Sequence, residues 1–322
     1  MRKARLAAIT ALGLLIAPGN WWRSAPVPST SDMVQFVPLP ATTPADWPEG
    51  LMLEQAWHLD PANPAFSGFS ALVLEGGGFR GFSDFGGTAA IPRPTAGQML
   101  VPVTALPAIR EITNTPDAEG AVYDGLSDTL WLSYEHHNAI RRIGADGRDA
   151  FVRPAALRQL GANSGIEAMT RLPGGAFLML SERSGEGFLF ASDPVESDAV
   201  MRFRTQLPPD FLPTDMALLP DGHVLVLLRA LTWNFPPFAS MLAVGDPADI
   251  REGEAWALRP LATIDQPGLR ENYEGLAVEP ADGGALTIWL ISDSNRSVLQ
   301  RTLLLKLRWN TKTAREVNLR EP

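Results

Sequence analysis

The chain of 322 residues contains no cysteine. Disulfides, thiolate nucleophiles, cysteine-ligated zinc and a cysteine-linked lipid anchor are therefore excluded. Histidine is scarce: His58, His136, His137 and His223 are the only four, so histidine-assisted nucleophilic catalysis has little material to work with. No G-x-S-x-G elbow occurs. The glycine-rich stretch GGGFRGF (residues 76–82) connects two strand-like segments and opens no helix, so it is neither a phosphate loop nor a dinucleotide fingerprint. There is no Lys/Arg-rich run, and the formal net charge is -9, which argues against a nucleic-acid partner. Helical patterning is nearly missing as well. Residues 149–165 read equally as one or two helical turns or as a crossing loop.

What is present is an apolar content of 45%, enough for a sizeable core. The N-terminus combines Arg2, Lys3 and Arg5 with twelve residues (6–17) that carry one polar side chain. That run is short for a bilayer span and fits the apolar core of a signal peptide. No clean A-x-A site follows, so residues 1–25 read as a signal peptide or an uncleaved anchor. Removing them takes away four basic residues and no acidic one, leaving a charge of -13. An acidic exported protein is suited to binding cations or a cation-bridged substrate. Residues 26–50 contain prolines at 26, 28, 38, 40, 44 and 48 and are expected to form an extended lead-in, because proline cannot donate to a sheet ladder.

The main signal is a repeat. Stretches beginning at Ser67, Asp117, Asn163, Leu212 and Asn272 share one grammar. A polar or acidic residue precedes a short apolar strand, then a Gly/Asp/Pro turn, a second apolar strand and a charged residue. The anchors Ser70, Glu119, Glu167, Asp215 and Glu274 recur at steps of 49, 48, 48 and 59, the last lengthened by the loop TWNFPPFAS (residues 232–240). A 48-residue period fits one four-stranded blade of a β-propeller. Turns such as PDG (220–222) and PGG (173–175) supply hairpin chemistry. Two alternating segments remain, GLMLEQAWHLD at the front and QRTLLLKLRWN at the back. They suggest an all-β, six-bladed propeller over residues 51–322, its last blade closed by strands from both ends of the chain.

Equivalent places in the repeat should bring Glu119, Glu167, Asp215 and Glu274 to one ring in the central channel, with Ser70 in the first blade's place. Two unit charges about 6 Å apart repel by roughly 3 kcal/mol at an effective dielectric of 20. The ring must therefore bind a cation, pair with Arg or Lys, accept from backbone amides, or hold protons. A hard divalent cation suits an all-oxygen set, Ca²⁺ above all. A second ring follows at Asp84, Glu135, Glu182, Arg229 and Asp293, at steps of 51, 47, 47 and 64. Ser83, Ser181 and Ser292 immediately precede three of these, and Ser133 lies two before Glu135. Arg80, Arg183, Arg229 and Arg296 stand nearby, where they would either grip an anionic substrate or tie blades together. His136 and His137 follow Glu135, so His136 is a candidate acid or base.

Three segments, FSGFSALVLEGGGFRGFSD, GIEAMTRLPGGAFLMLSE and NYEGLAVEPADGGALTIWLISDSNRSVLQRTLLLKLRW, resemble the phytase-like domain family, known as esterase-like activity of phytase. The resemblance spans residues 53–308 and is most specific in the last segment. It implies an exported bacterial β-propeller and a phosphoester or ester hydrolase. It also implies Glu167, Glu182, Glu274, Asp293 and Asn295 as site residues, although Ser294 stands where the family usually places a second acid. The reading expected on this basis is a metal-assisted hydrolase. Glu119, Glu167, Asp215 and Glu274 would be its ligands. Glu135, Glu182, Asp293 and His136 would be catalytic, and Arg80, Arg183, Arg229, Arg296 and Asn295 would hold a small anionic or ester substrate. The alternative is a non-catalytic binding propeller in which TWNFPPF is an interaction element. A closed propeller needs no partner to cover its edges, so a monomer is expected, with membrane contact only through residues 1–25.

Overall fold

The computed structural model describes residues 30–109, 117–161, 164–183 and 185–310. The expected leader over residues 1–25 lies outside them. Strands β1 (Met33–Leu39) and β2 (Leu51–Pro61) come first. The first repeat folds as β3 (Phe69–Glu75), β4 (Gly78–Ser83), β5 (Gly87–Ile91), β6 (Gly97–Leu100) and β7 (Val103–Ala105). The second is β8 (Ala118–Asp124), β9 (Thr129–Tyr134), β10 (Ala139–Ile143) and β11 (Asp149–Val152). The third is β12 (Ile166–Arg171), β13 (Phe177–Ser181), β14 (Glu186–Phe190) and β15 (Val200–Gln206). The fourth is β16 (Leu212–Leu218), β17 (Val224–Leu231), β18 (Phe238–Gly245), β19 (Ala255–Ala257) and β20 (Arg259–Ile264). Last come β21 (Asn272–Pro280), β22 (Leu286–Asp293) and β23 (Thr302–Trp309). The described residues of 149–165 hold β11 and a single 3-10 turn at Leu157–Gln159. The proline-rich lead-in contains a true strand, β1, paired antiparallel with β2 and β6.

Among the described residues these strands form five sheets. Blades I to IV each use one repeat, in the orders β3-β4-β5-β7, β8-β9-β10-β11, β12-β13-β14-β15 and β16-β17-β18-β20, and β19 adds a parallel edge to blade III. Blade V is β21-β22-β23-β2, extended outward by β1 and β6. The innermost strands β3, β8, β12, β16 and β21 follow one another around the axis, and β21 returns to β3. The expected six blades are therefore corrected to five. The segments at the two chain ends do close a blade, as expected. That blade is the fifth, because the last repeat carries only its two inner strands and needs β23 and β2 to complete it.

In blades II to V the strands next to the innermost are apolar at most positions because both faces of each sheet are covered. In β13, Phe177 and Met179 pack toward blade II while Leu178 and Leu180 pack toward blade IV. In β22, Leu286, Ile288 and Leu290 face blade IV while Trp289 and Ile291 face blade I. Five such apolar interfaces, one between each neighbouring pair of blades, carry the burial that holds the ring together.

Each innermost strand breaks register with its neighbour once. The residue left unpaired is Ser70 in blade I, Glu119 with Gly120 in blade II, Glu167 in III, Thr214 in IV and Glu274 in V. A bulge turns the extra side chain out of the pleat, and in blades II, III and V it raises Glu119, Glu167 and Glu274 into one cavity. Asp215 was expected to belong to this set, and the structure places it one residue deeper. Thr214 occupies the equivalent place, its hydroxyl donating to the Tyr273 carbonyl at 3.2 Å. The carboxylate of Asp215 is buried and accepts the amides of Met216 (2.8 Å) and Leu276 (2.6 Å), and that of Leu72 as well. It so joins blades IV, V and I across the axis. The corresponding residues in other blades are small: Ala71, Ala168 and Gly275. A Cβ on Gly275 would lie 2.6 Å from Ile291 Cγ2 and 3.0 Å from the Leu72 nitrogen. A glutamate followed by glycine thus serves two needs, one side chain raised into the channel and a close strand approach beneath it.

Replacing Asp215 by alanine removes the shared acceptor of three amides in a place closed to water. Urea unfolding of Asp215→Ala is expected to show a loss of about 3 kcal/mol or more. An unchanged midpoint would contradict the clamp.

Candidate functional site

The outer ring lies one level above the bulges. The amides of Asp84, Glu135 and Glu182 donate to the carbonyls of Gly68 (3.0 Å), Asp117 (3.0 Å) and Gly165 (3.3 Å), Arg229 pairs with Leu212, and Asp293 pairs with Asn272. The two rings open into one cavity of about 320 Å³. It is lined by Asp84, Glu119, Glu135, His136, Glu167, Glu182, Arg183, Arg229, Glu274, Asp293 and Asn295. Ten of the thirteen residues given a site role from the sequence thus meet in one place, joined by Asp84 of the second ring.

Three do not. Asp215 is the clamp below the floor. Arg80 lies in β4 and forms an ion pair with Glu75. It lines a separate cleft between blades I and II with Tyr123 and Asp128, because it lies four residues before Asp84, roughly 13 Å further from the mouth along the strand. Arg296 stays on the rim, its guanidinium 3.6 Å from the centre of the Phe85 ring and its Nε donating to the Ser67 hydroxyl at 3.3 Å. The recurrent serines are stitches. Ser83 donates to the Ser67 carbonyl, Ser133 to that of Ile166 in the next blade, Ser181 to that of Ser164 and Ser292 to that of Arg301.

Seven carboxylates in the cavity face two guanidiniums and one imidazole. Arg229 is the central counterion. It donates to Glu182 Oε1 at 2.6 Å, to Glu274 Oε1 at 2.5 Å and to Asn272 Oδ1 at 2.8 Å, and Asn272 in turn donates to Glu274 Oε1 at 2.8 Å. Both terminal nitrogens of Arg229 are so taken by the protein. Arg183, largely exposed, binds the other oxygen of Glu182 at 2.9 Å. His136 Nδ1 lies 2.6 Å from Asp117 Oδ2 and 3.7 Å from Glu135 Oε2. This fixes the imidazole with one nitrogen engaged.

The remaining acids are short of positive charge. Burial, then the neighbouring Glu167 and Glu274, push the Glu119 carboxyl well above its ordinary range. Burial, then Glu182 and Glu274, do the same to Glu167. Burial and Glu274 raise Asp293 to about 8 and Asp84 to about 7. Burial and Asp117 raise Glu135, and burial raises Glu274 against the pull of Arg229. At neutral pH the cavity holds protons in common or takes up a cation. Two groups have donor atoms within 4.8 Å of one another: Glu135, Glu167 and Glu182, and Asp117, Glu135 and His136. They share Glu135.

Asp117 and Asn272 went unnoticed in the sequence. The available signal was their pairing: each lies directly across the ladder from a recognised site residue, Asp117 from Glu135 and Asn272 from Asp293.

Arg229→Met should leave Glu182 and Glu274 buried without a counterion, at a cost of about 3 kcal/mol or more at pH 8. At pH 5 the cost should shrink, because the carboxyls can then take protons. Denaturant unfolding at both pH values checks this, and an equal loss at both would contradict it.

Comparison with known proteins bears on the family. Among curated proteins none matches. Solved structures resemble the chain only distantly. The extracellular domain of a provisionally assigned one-component system of B. thetaiotaomicron is 12% identical with a TM-score of 0.39. The match covers 74% of this chain and 27% of that one, so this chain spans about a quarter of that protein's length. A provisionally assigned gluconolactonase is 10% identical over 85% of this chain and 92% of that one, with a TM-score of 0.48. An exo-1,5-alpha-L-arabinanase from a bovine ruminal metagenomic library is 14% identical over 76% and 93%, with a TM-score of 0.49. The model of the Phytase-like family, described as esterase-like activity of phytase, matches residues 64–296. With most of the propeller inside that match, the chain belongs to the Phytase-like family.

Proposed function

We propose that this protein is an exported hydrolase of ester or phosphoester bonds that works with a divalent cation, Ca²⁺ by preference, in the cavity at the channel mouth. The observation that carries the reading is the Glu135–Glu167–Glu182 cluster, three carboxylates with oxygens within 4.8 Å of one another. The donor set fits the cation: all-oxygen, acidic, set in a cavity open to solvent on one side. Glu135, Glu167 and Glu182 would hold it, with Glu119 and Glu274 behind them. Asp215 has no part in it. A bound cation supplies Lewis-acid polarisation of the substrate oxygen and neutralises charge as the bond breaks.

The chain's own groups have separable roles. Arg229 pairs with Glu182 and Glu274 and holds both carboxylates in place. Asp117 orients His136 so that its other nitrogen can take a proton from water. Asp293, raised to about 8 by burial and Glu274, holds a proton at neutral pH and can give it to the leaving oxygen. Arg183 and Asn295 are the groups left to meet the substrate's polar parts, since the other arginines are committed elsewhere. Residues 6–17 would direct export. Among the described residues no helix is long and apolar enough to cross a membrane.

The test compares metal content, melting temperature and turnover of p-nitrophenyl phosphate and p-nitrophenyl acetate for the wild-type chain and Glu167→Gln, each with EDTA or Ca²⁺. Wild type is expected to hold Ca²⁺, to lose activity and melt lower in EDTA, and to recover on readdition. Glu167→Gln should stay folded and respond to neither. Ca²⁺ binding without turnover of either ester favours the ligand-binding propeller, and no Ca²⁺ effect overturns the metal-assisted reading.

A pH dependence follows with a definite sign. Asp84 and Asp293 have folded pKa values raised above their unfolded ones, so their contribution to stability is present below the ordinary carboxylate range and is lost as pH rises through about 7 and 8. In EDTA the melting temperature should therefore fall between pH 6 and pH 9, and Ca²⁺ should flatten that fall. A melting temperature that rises with pH over this window contradicts the proton-sharing cavity.

A further inference from the structure

One blade differs from the rest at the mouth. In blades I, II, III and V the ladder between the second and third strands stops short of the cavity residue, at Phe82–Thr88, Tyr134–Ala139, Leu180–Gly187 and Ile291–Leu304. In blade IV it continues past Arg229–Ser240 through Ala230–Ala239 to Leu231–Phe238. The β17–β18 hairpin therefore stands roughly 7 Å above the ring of site residues before its tip begins. The Thr232 amide closes that tip by donating to the Pro237 carbonyl at 2.8 Å.

This projection is apolar and open to solvent. Leu231 is 74% exposed, Trp233 106% and Phe235 69%. On adjacent blade V, the loop that leaves the cavity residue Asp293 adds Val298 and Leu299, also exposed. Half of the exposed large apolar side chains among the described residues thus belong to two neighbouring mouth loops. Such grouping marks a contact surface. Stable protein interfaces use 20–30 residues a side on the order of 800 Å² each, and five side chains on two loops fall well short of that. They match the size of a ligand's apolar arm, and they begin two residues beyond Arg229.

We propose that the blade IV hairpin and the loop of residues 294–300 bind the apolar arm of an amphiphilic ester whose polar ester head enters the acidic cavity. The substrate part of this statement rests on the hydrolase reading. It places alkyl or aryl esters and phosphoesters ahead of compact polyanions as substrates, because the cavity itself is rich in carboxylates and its central arginine is already paired.

The test uses the full chain in Ca²⁺ and two non-hydrolysable probes, methylphosphonate and octylphosphonate, titrated by calorimetry, together with turnover of p-nitrophenyl acetate and p-nitrophenyl octanoate. Seven further methylenes in the octyl probe and six in the octanoate, partly covered, should give each an advantage of about tenfold or more, in Kd and in kcat/KM respectively. Joint Trp233→Ser and Phe235→Ser should remove most of that advantage and leave melting unchanged, since both side chains are exposed. Leu126→Ser, on an exposed turn at the opposite end of blade II, should preserve it. Equal affinity for the two probes in wild type, no binding of either, or an advantage untouched by the hairpin variant overturns the proposal. So does a wild-type dimer that the hairpin variant dissociates, which would make the hairpin a protein contact. An octyl preference kept with no turnover of either ester defeats the hydrolase reading alone and leaves the apolar surface standing.

Discussion

Strand bulges in three of the five blades bring acidic side chains together in one cavity, and the cost of burying them there governs the rest of the site. Glu119, Glu167 and Glu274 are raised into the cavity by the same irregularity that the fold repeats in every blade. Among the ring positions only that of blade IV holds a base. Arg229 settles two of the seven carboxylates and orders Asn272. The others remain short of charge, and their raised pKa values express the same deficit that a divalent cation would meet.

The closed lower channel makes this arrangement possible. Asp215 draws the amides of three blades to the axis, and small residues at the matching positions let the strands come that near. The cavity therefore has a floor, and its contents exchange with solvent on one side. A ring of five blades is narrower than a ring of six, so one bulge per blade suffices to crowd the acids.

Much of this was legible in the sequence. The repeat period identified the propeller and its closure by both chain ends, and the equivalence of Glu135, Glu182, Arg229 and Asp293 located the cavity. The blade number was not legible, because a repeat count does not say which leftover strands complete the last unit. Asp215 was misplaced by one residue for a physical reason. A bulge shifts register without changing the run of apolar residues around it, so the repeat period pointed to the acid Asp215 and passed over Thr214 beside it. Arg80 was lost to its place along the strand, four residues from Asp84 and close to the β3–β4 turn at the far end from the mouth. Asp117 and Asn272 were missed because their role depends on cross-strand pairing. The TWNFPPF loop was visible as an insertion, but its height above the mouth depends on two extra ladder pairs that only the structure reveals.

The central claim is that the protons shared in the cavity stand where a cation would bind. Calorimetric titration of the apo chain with Ca²⁺ at pH 7, repeated in two buffers of different ionisation enthalpy, counts the protons released per ion. The account predicts binding with net proton release, and a release that declines toward pH 9 as Asp84 and Asp293 lose their protons without the metal. Binding without proton release, or no binding at all, would contradict it.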